Sequence, residues 1–148
     1  MDTENLLRSL NGHKVDFIII GATAFPTHGY ARATLDIDLF IRPDPQNASR
    51  VHDALRDFGY DITEIALEDL LTKKILIRQY LVETDIHPFV AGVTFDQAWK
   101  NKISGTFGKE KVYYASLDDI IIMKEAAGRP KDLEDIKVLK LLKKKNNT

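Results

Sequence analysis

The chain has no cysteine, so neither a disulfide framework nor a thiolate-bound metal is open to it. No apolar run approaches the roughly 20 residues that a helix needs to cross a bilayer. The start, Met1-Asp-Thr-Glu-Asn5, is acidic and has neither the basic nor the apolar region of a secretory signal, so a cytoplasmic location without membrane contact is expected. Charge of either sign is not in excess. The formal net charge is −1, which excludes a general polyanion binder. One tryptophan, Trp99, and five tyrosines give no stacking pattern of the sort that single-stranded nucleic acid requires. Positive charge gathers only in Lys140-Leu-Leu-Lys-Lys-Lys145, where it suits the C-terminal end of a helix dipole. What is present, 44% hydrophobic and 29% charged residues over 148 positions, fits one domain with a real core, residues 1–148.

Leucines at 6, 7 and 10 mark a short amphipathic helix from Thr3 to Leu10, ended by Asn11-Gly12. Val15 to Ile20 is a buried-strand run stopped by Gly21, and Ala22 to His28 reads as a short helix bent near Pro26. From Ala31 to Ile41 every odd position is apolar, whereas the even ones read Arg32, Thr34, Asp36, Asp38 and Phe40. Alternation this regular predicts an extended segment with one face in a core. Asp44-Pro45 offers an N-cap and a first helical position, Ala48, Val51, Leu55 and Phe58 a stripe, and Gly59 a stop. Tyr60 to Glu64 reads as a short strand and Leu67 to Lys74 as a brief helix. Ile75 to Val90 alternates again, with Leu81, Glu83, Asp85, His87 and Phe89 on one face, and Pro88 marks its end.

Further on, Thr94 to Trp99 suggests a helical turn and Ile103 to Ala115 two short strands. Ser116-Leu-Asp-Asp119 opens a helix that runs to Gly128, and Pro130 starts the last one. Strands and helices alternate irregularly, so the expected fold is α+β: one mixed sheet flanked by helices, closed by a C-terminal helical pair.

Two carboxylates two apart on one strand face lie roughly 6–7 Å apart at their Cα atoms. Asp36 and Asp38 can therefore converge on one hard cation, which water and phosphate oxygens would complete. Like charges so placed disfavour a strand unless something uses them. Asp85, brought alongside, would supply a third carboxylate, enough for two ions; Glu83 and His87 share its face. Gly21-Ala22-Thr23 fits the phosphate half, a strand ending in glycine and passing into a helix with free backbone N–H groups and a hydroxyl. Arg32 is either a bidentate phosphate partner or a neutraliser of the carboxylates, and Thr34 shares that face. Lys124 is a further candidate for the triphosphate, and Arg129 reads as structural.

The run Gly21-Ala-Thr-Ala…His28-Gly-Tyr-Ala-Arg32-Ala-Thr34-Leu-Asp36-Ile-Asp38-Leu resembles the signature of DNA-polymerase-β-type nucleotidyltransferases. It is similar in particular to the small bacterial group related to abortive-infection toxin nucleotidyltransferases. Met123-Lys124…Gly128-Arg129-Pro-Lys-Asp132-Leu-Glu-Asp135-Ile resembles that group's C-terminal helical element. The resemblance implies a minimal nucleotidyltransferase domain with Asp36, Asp38 and Asp85 as catalytic metal ligands. Gly21, Ala22, Thr23, Arg32, Thr34 and Lys124 would then bind nucleotide, with Mg²⁺ or Mn²⁺ as cofactor. The substrate would be an NTP, ATP first, and the acceptor hydroxyl an RNA, a protein or a small molecule. Ala22 departs from the Gly or Ser usual there. It favours the alternative, a catalytically weak nucleotide-binding or toxin–antitoxin regulatory module with a toxin or antitoxin partner. A sugar-nucleotide glycosyltransferase using Asp-x-Asp ranks behind both, since 148 residues leave hardly any space for donor and acceptor halves.

Overall fold

A computed structural model describes residues 2–30, 36–80 and 82–146. Helix α1 (Thr3–Gly12) starts where the Asp2 side chain accepts from Asn5 N, and it buries Leu6, Leu7 and Leu10. Helix α2 (Pro45–Phe58) starts with Asp44 accepting from Asn47 N and Pro45 in the first turn. It stops at Gly59, whose φ of 116° no L residue adopts comfortably. The two helices pack together, pinned by Ser9 Oγ donating to the Ala54 carbonyl at 2.7 Å.

These helices cover a six-stranded sheet built from β1 (Phe17–Ile20), β2 (Asp36–Ile41), β3 (Ile75–Ile77), β4 (Glu83–His87), β5 (Ile103–Phe107) and β6 (Glu110–Tyr114). Its order is β3-β4-β2-β1-β6-β5. β2 runs parallel to β4 and β1 parallel to β6, while the remaining neighbours are antiparallel. The sheet is therefore mixed, as the irregular alternation implies. All of β1 is buried, which explains why it reads as an unbroken apolar run rather than an alternating one.

Short helices α3 (Asp69–Thr72) and α4 (Phe95–Asn101) lie in the connections, the latter entered through a reciprocal Thr94–Gln97 capping box. Helices α5 (Leu117–Ala127) and α6 (Leu133–Asn146) form the C-terminal pair, joined by a 3₁₀ turn at Pro130–Asp132. The fold is α+β. Among the described residues no helix is long and apolar enough to cross a membrane.

Three local expectations change. Tyr60 to Glu64 is no strand: Asp61 Oδ1 accepts from both Thr63 N and Thr63 Oγ1, closing an Asx turn in place of a ladder. Ile75 to Val90 is two antiparallel strands rather than one. The reversal after Ile77 has no glycine, proline or asparagine to announce it. It is instead pinned by the Gln79 side chain, which accepts from Asp61 N at 2.6 Å and donates to Asp61 O at 2.7 Å. Ala22 to His28 resolves into two 3₁₀ turns, Gly21–Ala24 and Pro26–His28. Of the segment from Ala31 to Ile41, residues 36–41 form the expected strand; Arg32 and Thr34 lie outside the described residues.

Candidate active site

The parallel pairing of β2 with β4 decides which side chains meet. Register sets Asp36 opposite Glu83, Asp38 opposite Asp85 and Phe40 opposite His87. Partners in a ladder share a face, as do residues two apart. Asp36, Asp38, Glu83, Asp85 and His87 are therefore one patch of a single face, whereas Ile37, Leu39 and Ile86 point into the core on the other. On the far side of β2, Ile20 of β1 pairs with Asp38, so the turn at Gly21 begins beside that carboxylate.

Gly21 is held at φ +70°, and a Cβ built on it would lie 2.5 Å from Asp38 Oδ2. Only a residue without a side chain lets the turn and the carboxylate come so close. Thr23 Oγ1 donates to the Asp36 carbonyl at 3.0 Å, which ties the Gly21–Ala24 turn to β2 and spends the hydroxyl proton expected for phosphate. No side chain caps this 3₁₀ turn.

The carboxylates are held by basic side chains. His87 Nε2 donates to Asp38 Oδ1 at 2.9 Å. Asp85 is 7% exposed, with Arg78 Nη1 2.8 Å from its Oδ1 and Lys74 Nζ 3.9 Å from its Oδ2. The Arg78 contact is an ion pair, and among the described residues no donor meets Asp85 Oδ1, a buried acceptor, in full hydrogen-bond geometry. The Asp85 carboxylate raises the Arg78 guanidinium above its usual range. Glu83 is raised too: the Asp36 carboxylate beside it shares a hydrogen bond that favours the protonated acid, and desolvation and the Asp36 charge add to this.

A second charged cluster faces this patch from the C-terminal pair. Lys124 Nζ sits 3.0 Å from Asp132 Oδ1 and 3.4 Å from Asp135 Oδ2. Arg129 holds Asp132 through Nε at 2.7 Å and Nη2 at 3.2 Å, the structural task its position suggests. Tyr30 Oη donates to Asp135 at 3.1 Å. Burial tends to raise the Asp132 carboxyl, but hydrogen bonds from Arg129 and Lys124, together with their charges, outweigh it and hold the group below its ordinary value. Lys124 is thus neither a solvated lysine nor an uncommitted one.

Both clusters line one cavity of about 580 Å³, which also takes in Gly21, Ala22, Lys74, Phe89 and Met123. That volume lies within the roughly 300–1,000 Å³ range of small-molecule sites. A larger groove of about 850 Å³, lined by Asn11, Thr106, Lys109 and Tyr113, contains none of these groups. Of the residues expected from sequence, Gly21, Ala22, Asp36, Asp38, Asp85 and Lys124 meet in the smaller cavity, and Thr23 supports it from behind. Lys74 and Arg78 were not anticipated. Asp132 and Asp135 entered only as part of the C-terminal run that resembles the family's helical element, although their spacing of three lets both meet Lys124.

The model of one sequence family, described as a nucleotidyltransferase of unknown function (DUF6036), matches residues 1–146. The chain belongs to that family. Membership makes nucleotidyl transfer the general chemistry to weigh against this cavity. The family description names no substrate, and no curated protein matches the chain.

As for a metal, the donors are hard carboxylate oxygens of the type that Mg²⁺ takes, and among the described residues the buried Asp85 Oδ1 has no donor in full hydrogen-bond geometry. Among the described residues no group of three His, Asp or Glu side chains is already gathered around a common point. His87, Arg78 and Lys74 draw the oxygens of Asp38 and Asp85 toward themselves. The donor set fits a divalent ion in type and face, and binding one requires these side chains to let go.

Proposed function

We propose that the protein is a Mg²⁺-dependent nucleotidyltransferase that moves a nucleoside monophosphate from an NTP, ATP first, to an acceptor hydroxyl. The observation that carries this reading is the parallel register, with Asp38 abreast of Asp85, Asp36 on the same face and Asp38 fitted against a glycine turn. The reading extends to the DNA-polymerase-β-type superfamily and to its small toxin-like bacterial group, on the strength of the motif resemblance.

Asp36, Asp38 and Asp85 would hold the ion or ions, which when bound would offset phosphate charge. Backbone N–H groups at Gly21 and Ala22, with Lys124, would orient the triphosphate. Asp85, the most buried of the three site aspartates, would otherwise take the acceptor proton at Oδ1. The acceptor oxygen then bonds to the α-phosphorus, and the bond from that phosphorus to pyrophosphate breaks. Catalysis of this kind is mostly positioning and charge neutralisation.

A second reading is a module on the same fold that binds nucleotide, or a toxin or antitoxin partner, without turnover. It draws on Ala22, on the hydrogen bond that already occupies Asp38 and on the ion pair that already occupies Asp85. Incubation with Mg²⁺, α-labelled NTP and cellular RNA or protein separates the two. Label transfer lost in Asp36→Ala and in Asp38→Ala supports the enzyme. A Mg²⁺-dependent thermal shift with ATP but no transfer favours the module. No shift with any nucleotide sinks both.

A further inference from the structure

One wall of the cavity carries no charge. Phe89 follows directly on β4, two residues beyond His87, and is 62% exposed although it lines the cavity. Its backbone is not loose. Pro88 precedes it, Val90 bridges to Val93, and the turn between them passes through Gly92 at φ +87°. A Cβ on Gly92 would meet Ala126 Cβ at 2.9 Å and Ile122 Cγ2 at 3.0 Å, so this turn is seated hard on α5. Around Phe89 the same wall is made of Val90, Ala91, Met123 and Ala127.

A large ring left in water on a fixed backbone loses the burial that would reward it. The wall offers what a planar apolar group needs, an aromatic face and a thioether that adapts to shape. Among the described residues it offers no side-chain donor, and its one acceptor is the weak thioether of Met123. The same cavity is also lined by the Gly21–Ala22 turn and the lysines 74, 124 and 131. One cavity thus joins a surface for a π-face to a surface for a polyanion, and a nucleoside triphosphate has those two ends.

We propose that Phe89 and Met123 form the nucleobase subsite, which holds the base by stacking and apolar contact and does not read its hydrogen-bonding edge. This rests on the NTP reading above and extends it to specificity: all four NTPs are accepted, and purines bind tighter because they offer more stacking area. A site that selected one base would need polar side chains set against that edge.

The test is titration calorimetry of the full chain with Mg²⁺ and ATP, GTP, CTP, UTP or inorganic tripolyphosphate, on wild type, Phe89→Ala and Phe89→Trp. One base–aromatic stack is worth about 5- to 150-fold, so Phe89→Ala should weaken ATP by that factor. Tripolyphosphate binding should not change, and Phe89→Trp should restore ATP. Because the ring is exposed, ligand-free Phe89→Ala should melt like wild type. Equal ATP affinity in wild type and Phe89→Ala overturns the subsite. So does an equal loss of ATP and tripolyphosphate, or a preference between ATP and GTP, which offer similar stacking area, beyond about 5-fold, where a hydrogen-bonded readout begins. If wild type binds tripolyphosphate as tightly as ATP, the subsite fails while the triphosphate site stands. Binding of neither removes the NTP reading and the subsite with it.

Discussion

Replacing Gly21 by alanine tests the closest contact in the site. Two costs arise from different atoms. Gly21 sits at φ +70°, and a side chain in the left-handed region costs about 1–2 kcal/mol. The new Cβ would also lie 2.5 Å from Asp38 Oδ2, so the carboxylate must swing away. That movement breaks the 2.9 Å hydrogen bond to His87. A hydrogen bond to a charged group contributes about 1.5–3 kcal/mol, less where water reaches it, and this one is partly exposed. The sum is about 2–4 kcal/mol, or a fall in Tm on the order of 10 °C for a chain of this size. Urea denaturation measures it directly. The two parts separate in an Asp38→Ala background, where the carboxylate is gone and Gly21→Ala should cost only the dihedral share, about 1–2 kcal/mol. An equal cost in both backgrounds would refute the contact. A change within about 0.5 kcal/mol of wild type would refute the dihedral reasoning as well.

Asp36→Ala and Asp38→Ala should each lower label transfer from α-labelled NTP by at least about 100-fold while the protein stays folded, the scale seen when one charge-stabilising group is lost; retained transfer in either variant removes that residue from the chemistry. Asp132, 2% exposed, is held below its ordinary carboxyl value by Arg129 and Lys124 in spite of its burial. Its folded value is depressed, so its stabilisation is complete above the unfolded value of about 3.9 and is lost as the pH falls through the lower folded value. Urea titrations at pH 7 and near pH 3 should therefore show the stability gap between wild type and Asp132→Asn shrinking in acid, and a constant gap would contradict the assignment. Ser116 Oγ accepts from Asp119 N at 3.2 Å at the start of α5. Ser116→Ala should cost about 1 kcal/mol in the same assay, and no cost would mean that the cap is idle.

What could be read in advance divides by the range of the interaction that fixes it. Helix α2 was legible to the residue, since Asp44, Pro45 and Gly59 set both ends within a few bonds of themselves. The strand that carries Asp36 and Asp38 was legible from alternation alone. The reversal after Ile77 was not. It depends on Gln79 reaching Asp61, eighteen positions away, and across it the face of Ile75 and Ile77, at odd positions, is continued by Thr84 and Ile86, at even ones. Alternation within β4 alone kept Glu83, Asp85 and His87 correctly on one face.

The candidate site shows the same division more sharply. Asp85 was reachable as a third carboxylate because strand parity fixes its face, and the parallel β2–β4 register then sets it level with Asp38. The cations were a different matter. Arg78 and Lys74 reach Asp85 from β3 and its flanks, which only the unforeseen hairpin brings to that edge of the sheet. They change what the carboxylates mean. Three aspartates read from sequence imply a ready metal site, yet in the fold Asp38 is bonded to His87 and Asp85 is paired with Arg78 and Lys74. Burying these carboxylates without a partner would cost several kcal/mol each, so a protein that carries them in the absence of ligand must supply positive charge from its own chain. Basic residues from an adjoining strand meet that need, and they are the ones a sequence reading confined to the acidic motif passes over.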